Sequence, residues 1–309
     1  MNDRQLRYFT TIFEQRNLSR AAALCNVAQS ALSHHLGALE GELGVPLFYR
    51  KARGMEPTAA GVRLYEHARP ILRHLDNAAE DVRTMITELA GEIRIGMPYS
   101  VVEGLTLPIL EHVSEHLPKV RLSISEGLSR NTFDALVRGD SDLALFYNPN
   151  ADARIETEPL VEEQIHCIGN PDMLGTAQTP IPFETVCDLP VLLLRQGMYA
   201  RAVVARTGVM SRLRHIGALE INSVNGLAKA MMAGFGCTLG PLITFREYLA
   251  DGRLTARPII DPGLTRTLHL GQLRDQTPTR LREEMYSLVK TLLAEEIAAD
   301  RWRGTWVGE

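Results

Sequence analysis

The sequence predicts a mixed fold: an N-terminal all-α-type winged helix-turn-helix, then a long linker helix, then an α/β body of two units. Three observations predict it. Residues 18–40, LSRAAALCNVAQSALSHHLGALE, read as two helices joined by a tight turn. Leu64, Ala68, Ile71, Leu75, Ala78, Val82, Met85 and Leu89 recur at alternating spacings of four and three, the seam of a pairing helix. From residue 91 onward, short runs with strand alternation are separated by helical stretches, the order of a parallel sheet with crossovers.

Residues 3–16 place Leu6, Phe9, Ile12 and Phe13 on one face and read as a first helix. Ser19 is read as the cap of the second, whose Ala21, Ala22, Ala23 and Leu24 are good helix formers. Asn26 tolerates the left-handed turn that Cys25–Val27 requires. The third helix turns Leu32, Leu36, Leu39 and Leu43 inward and presents Gln29, Ser30, Ser33 and His34 outward. Small or flat polar groups with no acid among them suit the edges of bases in a major groove. A surface hairpin that binds nothing would share the same core.

Residues 45–58 hold Arg50, Lys51 and Arg53 around Gly54, the composition of a wing lying along backbone or minor groove. The DNA-facing set is therefore Ser19, Arg20, Gln29, Ser30, Ser33, His34, Arg50 and Arg53. Thr58 caps the linker helix, and Pro70 is expected to kink it near residues 66–70.

In the body, 91–97, 120–126 and 143–147 read as strands, with helices at 105–117 and 129–138. A second unit has strands at 165–168, 191–194, 219–222 and 236–239 and helices from about Tyr199 and at 224–233. A strand at 267–273 returns to the first unit, and a closing helix follows at 279–296. Ligands of open α/β sheets sit beyond the carboxyl ends of strands. Those ends carry Tyr99, Ser100, Ser129, Tyr147, Arg195, Gln196, Tyr199 and Ser223. Ser100, Ser129 and Ser223 fall at helix starts, where free amides favour an anion. Arg195 could pair with a carboxylate, and the three tyrosines could pack on its carbon skeleton.

Net charge is −4, yet residues 1–58 carry seven basic and five acidic side chains, a local +2 on a body of −6. So weak a positive head argues for several heads on one DNA site. The four cysteines are scattered, without a C-x-x-C pair, and read as reduced and mostly buried. His112 and His116 have zinc-like spacing but sit between Glu111 and Glu115 with no third ligand, a solvated helix face. No catalytic, metal or cofactor motif appears: there is no P-loop, GxGxxG or GxSxG. No apolar run could span a bilayer, and MNDRQLRYF lacks an export pattern, so a cytoplasmic location is expected.

The segment VAQSALSHHLGALEGELGVPLFYRKARGMEPTAAG resembles the N-terminal signature of LysR-type transcriptional regulators. Its AAALCNVAQSALS run, LE-x-x-LG-x-x-LF-x-R segment and RG-x-x-x-T-x-AG segment appear in order. Within that family the head looks most like the nitrogen-assimilation-control and catabolic-operon branches. The resemblance implies a winged DNA-binding domain over 1–58, a dimerising helix over 59–89, and an effector domain over 90–309. The effector fold is that of periplasmic solute-binding proteins, with lobe I near 90–163 and 268–300 and lobe II near 164–267. It implies double-stranded promoter DNA as partner, a homotetramer built from dimers, contact with RNA polymerase, and a small organic acid or amino-acid-like effector between the lobes. Two alternatives stay open: a regulator of the same family acting without an effector, and a solute-binding protein on the same scaffold. Ala28, Gly37 and Pro57 depart from the family's usual residues, so its half-site preference does not carry over.

Overall fold

The computed structural model describes residues 1–51, 54–84, 89–177, 179–194, 219–221, 223–274 and 279–308. These form two compact units, the head with its long helix and the body beyond it.

The head opens with α1 (Asp3–Gln15), closed by a capping box in which Asn2 and Gln5 bond reciprocally. Helix α2 (Leu18–Leu24) is capped by Asn17, not by the expected Ser19. The Asn17 carboxamide reaches the Arg20 amide at 3.0 Å and starts the helix two residues sooner, which leaves Ser19 exposed. Asn26 takes the left-handed turn, φ 53°. Helix α3 (Gln29–Leu43) starts after Ala28, which makes no side-chain cap. Leu32, Leu36 and Leu39 are buried against Leu6, Phe9, Ile12, Ala21 and Ala22. Leu43 departs from the predicted face and is 39% exposed, because the last turn runs past the core before Gly44 ends the helix.

Strands β1 (Phe48–Lys51) and β2 (Gly54–Pro57) make the wing, an antiparallel hairpin with Arg50 opposite Met55. Gly54 is required there: its φ is 131°, and a Cβ would meet the Arg16 carbonyl oxygen at 2.4 Å. That carbonyl accepts the Met55 amide and ties the wing to the end of α1.

Helix α4 (Ala59–Thr84) begins at the predicted cap: the Thr58 hydroxyl accepts from Gly61 and donates to the Pro46 carbonyl. It continues through Pro70. The heptad seam divides along its length. Ala68 and Leu72 are buried and Leu64 packs on the head's own core, whereas Ile71, Leu75 and Val82 are 43, 46 and 69% exposed. Met85 lies outside the described residues. Leu89 lies beyond the helix and packs on the core of the body, so the expected seam is shorter than its sequence spacing suggests.

In the body, β3 (Gly91–Pro98), β4 (Val120–Gly127) and β5 (Leu143–Tyr147) run parallel, linked by α5 (Tyr99–His116) and α6 (Ser129–Val137). Helix α5 starts six residues before the expected Leu105. Gly104 and Pro108 weaken its helical signal, but a Cβ on Gly104 would sit 2.5 Å from the Trp302 ring, so packing demands the glycine. Strand β13 (Thr265–Leu273) makes this sheet mixed rather than wholly parallel, pairing antiparallel with both β5 and β6 (Ile155–Gln164), a strand the sequence reading missed. A C-terminal strand β14 (Thr305–Trp306) borders β6, giving the order β14-β6-β13-β5-β3-β4. Helix α11 (Arg280–Ala298), capped by Thr279, packs against α5.

The second lobe holds β7 (His166–Gly169), β8 (Ile181–Pro182), β11 (Thr238–Gly240) and β12 (Thr255–Ile260) in the order β11-β7-β12-β8. A parallel pair, β9 (Leu192–Leu194) and β10 (Leu219–Ile221), lies in the same lobe. Its helices are α7 (Pro171–Leu174), α8 (Phe183–Cys187), α9 (Val224–Met232) and α10 (Arg246–Ala250). The helix expected from Tyr199 falls outside the described residues. The two crossover strands run side by side, with the buried Ile165 donating its amide to the Leu264 carbonyl at 2.8 Å. Three cysteines are buried; the Cys167 thiol bonds to Cys237, which together with burial raises its pKa and makes it a poor nucleophile.

Candidate functional sites

On the head, α3 exposes Gln29, Ser30 and His34, with Ser33 half-buried beside them. The Ser19 hydroxyl of α2 donates to the Gln29 carboxamide oxygen at 2.9 Å. This contact orients the amide and leaves its NH2 group as a hydrogen-bond donor. Arg50 reaches back from the wing and donates to the Ser33 hydroxyl at 3.0 Å. Wing and third helix are thereby joined at the centre of the polar face. The one acid near the end of that face is used internally: Glu40 accepts the Leu47 and Phe48 amides at 2.7 and 3.2 Å. Lys51 pairs with Glu56 across the hairpin, so Arg50 is the wing cation left to face a phosphate among the described residues. Arg20 is exposed, and Arg53 lies outside the described residues.

In the body, the ends of β3 and β5 and the starts of α5 and α6 bring Ser100, Ser129 and Tyr147 together. None presents a free hydroxyl. Ser100 is buried and accepts from Arg266 at 3.0 Å while bonding the Tyr147 hydroxyl at 3.1 Å. Ser129 accepts the Tyr147 amide at 3.2 Å. The Arg266 guanidinium stacks 3.5 Å from the Tyr147 ring centre and donates to Glu163 at 2.8 Å. Glu163 takes its other bond from the Trp302 indole, also at 2.8 Å. Arginine and glutamate are both buried, so each depends on the other for its charge. Burial holds the Tyr147 hydroxyl protonated, well above its ordinary range.

Nearer the mouth, the Tyr99 hydroxyl donates across to Asn225 on α9 at 3.4 Å. Its pKa is raised by burial and by Glu103, with Glu126 adding to the effect. Burial and Glu103 also raise the Glu126 carboxyl. The described rim is therefore acidic. Ser223 caps α9 by accepting the Gly226 amide at 3.1 Å. Arg195, Gln196 and Tyr199 lie outside the described residues. Sequence reasoning missed Glu163, Arg266 and Trp302, whose partners are more than a hundred residues apart along the chain. Glu103 was visible in principle, one turn beyond Tyr99 on the same helical face.

Comparison with known proteins agrees with this architecture. Residues 4–62 match the model for the bacterial regulatory helix-turn-helix protein, lysR family, and residues 87–294 match the LysR substrate binding domain. The chain belongs to the LysR family of transcriptional regulators. It is 32% identical over 295 residues to the nitrogen assimilation regulatory protein nac of Klebsiella aerogenes, covering 94% of this chain and 95% of that one. The HTH-type transcriptional regulator BbuR of Bordetella bronchiseptica is 28% identical, with 98 and 92% covered. A full-length OxyR variant from Pseudomonas aeruginosa shares the fold, with a TM-score of 0.73 at 24% identity over 95% of this chain and 94% of that one. This LysR-type chain is thus a DNA-binding transcriptional regulator with a substrate-binding domain, not an enzyme. Among the described residues no helix is long and apolar enough to cross a membrane.

Proposed function

We propose that this regulator binds promoter DNA through Gln29, Ser30, Ser33 and His34, with Ser19 and Arg20 supporting them and Arg50 and Arg53 on the backbone or minor groove. Two chains pair through the exposed Ile71–Leu75–Val82 stripe, and pairs assemble into a tetramer. The observation that carries the DNA reading is the Ser19–Gln29 and Arg50–Ser33 bonding, which pre-orients a polar face whose nearby acid, Glu40, is held by backbone amides. Gln29→Ala is expected to cost about 1–3 kcal/mol on the operator alone, whereas Arg50→Ala weakens binding on all sequences and lowers the salt slope by about one. Fluorescence anisotropy over a salt series separates the two. Unchanged operator and random-DNA affinity in Gln29→Ala overturns the assignment.

The effector we propose is amino-acid-like, carrying both a carboxylate and an amine, and lies between the lobes. The start of α5 suits the carboxylate; Glu103 and Glu126 suit the amine and oppose a dicarboxylate. Lobe closure on this ligand would alter the spacing of the heads on DNA. A calorimetric screen of amino acids, amines and organic acids tests the reading: an amino acid is expected to bind, and Glu103→Gln to weaken it. If nothing binds and Ser100→Ala leaves the promoter response unchanged, the regulator works without an effector.

A further inference from the structure

A cavity of about 560 Å³ lies away from the Tyr99–Ser129 cleft, between β7, β12 and α10 on one side and the segment after α11 on the other. Its walls belong to different lobes. His166, Arg246 and Thr255 come from the second lobe, while Asp300, Arg301 and Arg303 come from a segment anchored in the first. The anchor is firm: Trp302 is buried in the core of the six-stranded sheet, and Thr305 pairs with Glu162 on β6.

The charge of the lining is unbalanced. Arg301 is satisfied by a two-pronged bond to Glu296 at 2.8–3.0 Å. Arg303 pairs, among the described residues, with Asp300 alone, at 3.6 Å and well exposed. Arg246, at the first turn of α10, has no ion pair among the described residues. Arg303 also faces His166 closely enough that, after burial, its charge disfavours the imidazolium. Guanidiniums from both lobes and an imidazole therefore converge on one polar cavity of ligand size with a single carboxylate.

We infer that this cavity is a second ligand site, for a small anion bearing two or more negative charges, held between Arg246 and Arg303 with the Thr255 hydroxyl alongside. A phosphoester and a polycarboxylate share that chemistry. The occupied site would tie the C-terminal segment to the second lobe, and so bias the same lobe movement that the cleft governs, from a different place.

Isothermal titration of the full chain with inorganic pyrophosphate and with citrate, at ionic strength matched by sodium chloride, tests this. At least one is expected to bind once per chain, and Arg246→Gln and Arg303→Gln each to weaken it by roughly fivefold or more. Exposed Arg121→Gln is expected to leave it unchanged, and all three variants to melt like the parent without anion. Binding of pyrophosphate alone assigns a phosphoester, of citrate alone a polycarboxylate, and of both a site selective for charge. No binding beyond the chloride control, or equal weakening by all three substitutions, overturns the inference. An amino acid bound in the cleft is measured separately, so either site can fail without the other.

Discussion

Glu163→Ala is expected to destabilise the body by about 3–5 kcal/mol, the largest single effect predicted from this structure. The substitution leaves the Arg266 guanidinium buried without its carboxylate and removes the acceptor of the Trp302 indole. Both consequences fall on the strands that cross between the lobes, since Glu163 is the penultimate residue of β6 and Arg266 the second of β13. Urea unfolding followed by tryptophan fluorescence reads this directly, because the two tryptophans of the chain, Trp302 and Trp306, both lie in the C-terminal segment. Removing both charges together, as Glu163→Leu with Arg266→Met, is expected to cost much less than Glu163→Ala, as apolar replacement of buried ion pairs often does. A loss below about 1 kcal/mol in the single variant would show that the pair is not buried as a charged pair in solution.

Ile71→Glu combined with Leu75→Glu is expected to abolish the proposed pairing of chains through α4 and to lower operator affinity by about a hundredfold or more. Both side chains are nearly half exposed on α4, while Ala68 and Leu72 on the adjacent face hold the helix to the head. The substitutions should therefore spare the fold of the head and remove only the partner surface. Sedimentation equilibrium and gel shift check the two halves of the expectation. A dimer that survives both charges would move the pairing surface elsewhere.

The head was the most legible part of the sequence, because local rules decide it. Helical spacing placed Leu32, Leu36 and Leu39 in the core, and Asn26 and Thr58 marked a turn and a cap. The cap of α2 was misplaced because Asn17 and Ser19 are both competent and only the chain's path into the helix chooses. The body was legible where strands are buried on both faces, as in β5, where all five residues are buried. Strand β6, IETEPLVEEQ, was hidden by exposed glutamates, an internal proline and a register shift opposite β13. The seam of α4 was visible as a repeat, but periodicity does not say which turns face the chain's own core.

The polar floor of the cleft was least legible. Ser100, Ser129 and Tyr147 could be placed at strand ends from sequence, yet their bonding to Arg266 depends on β13 pairing beside β5. No local signal connects residues so far apart. The RWRGTWVGE tail was uninformative as sequence, although it supplies the largest fully buried side chain among the described residues, Trp302.

The α3 face is proposed to read a specific DNA sequence. That reading is tested most directly by titrating the full chain, in one salt condition, against the DNA upstream of its own gene and against a scrambled duplex of equal length. Affinity for the upstream DNA is expected to be at least about a thousandfold greater, and Gln29→Ala to reduce that preference by about 5- to 150-fold. Equal binding of the two duplexes, or a preference that survives Gln29→Ala intact, would contradict it.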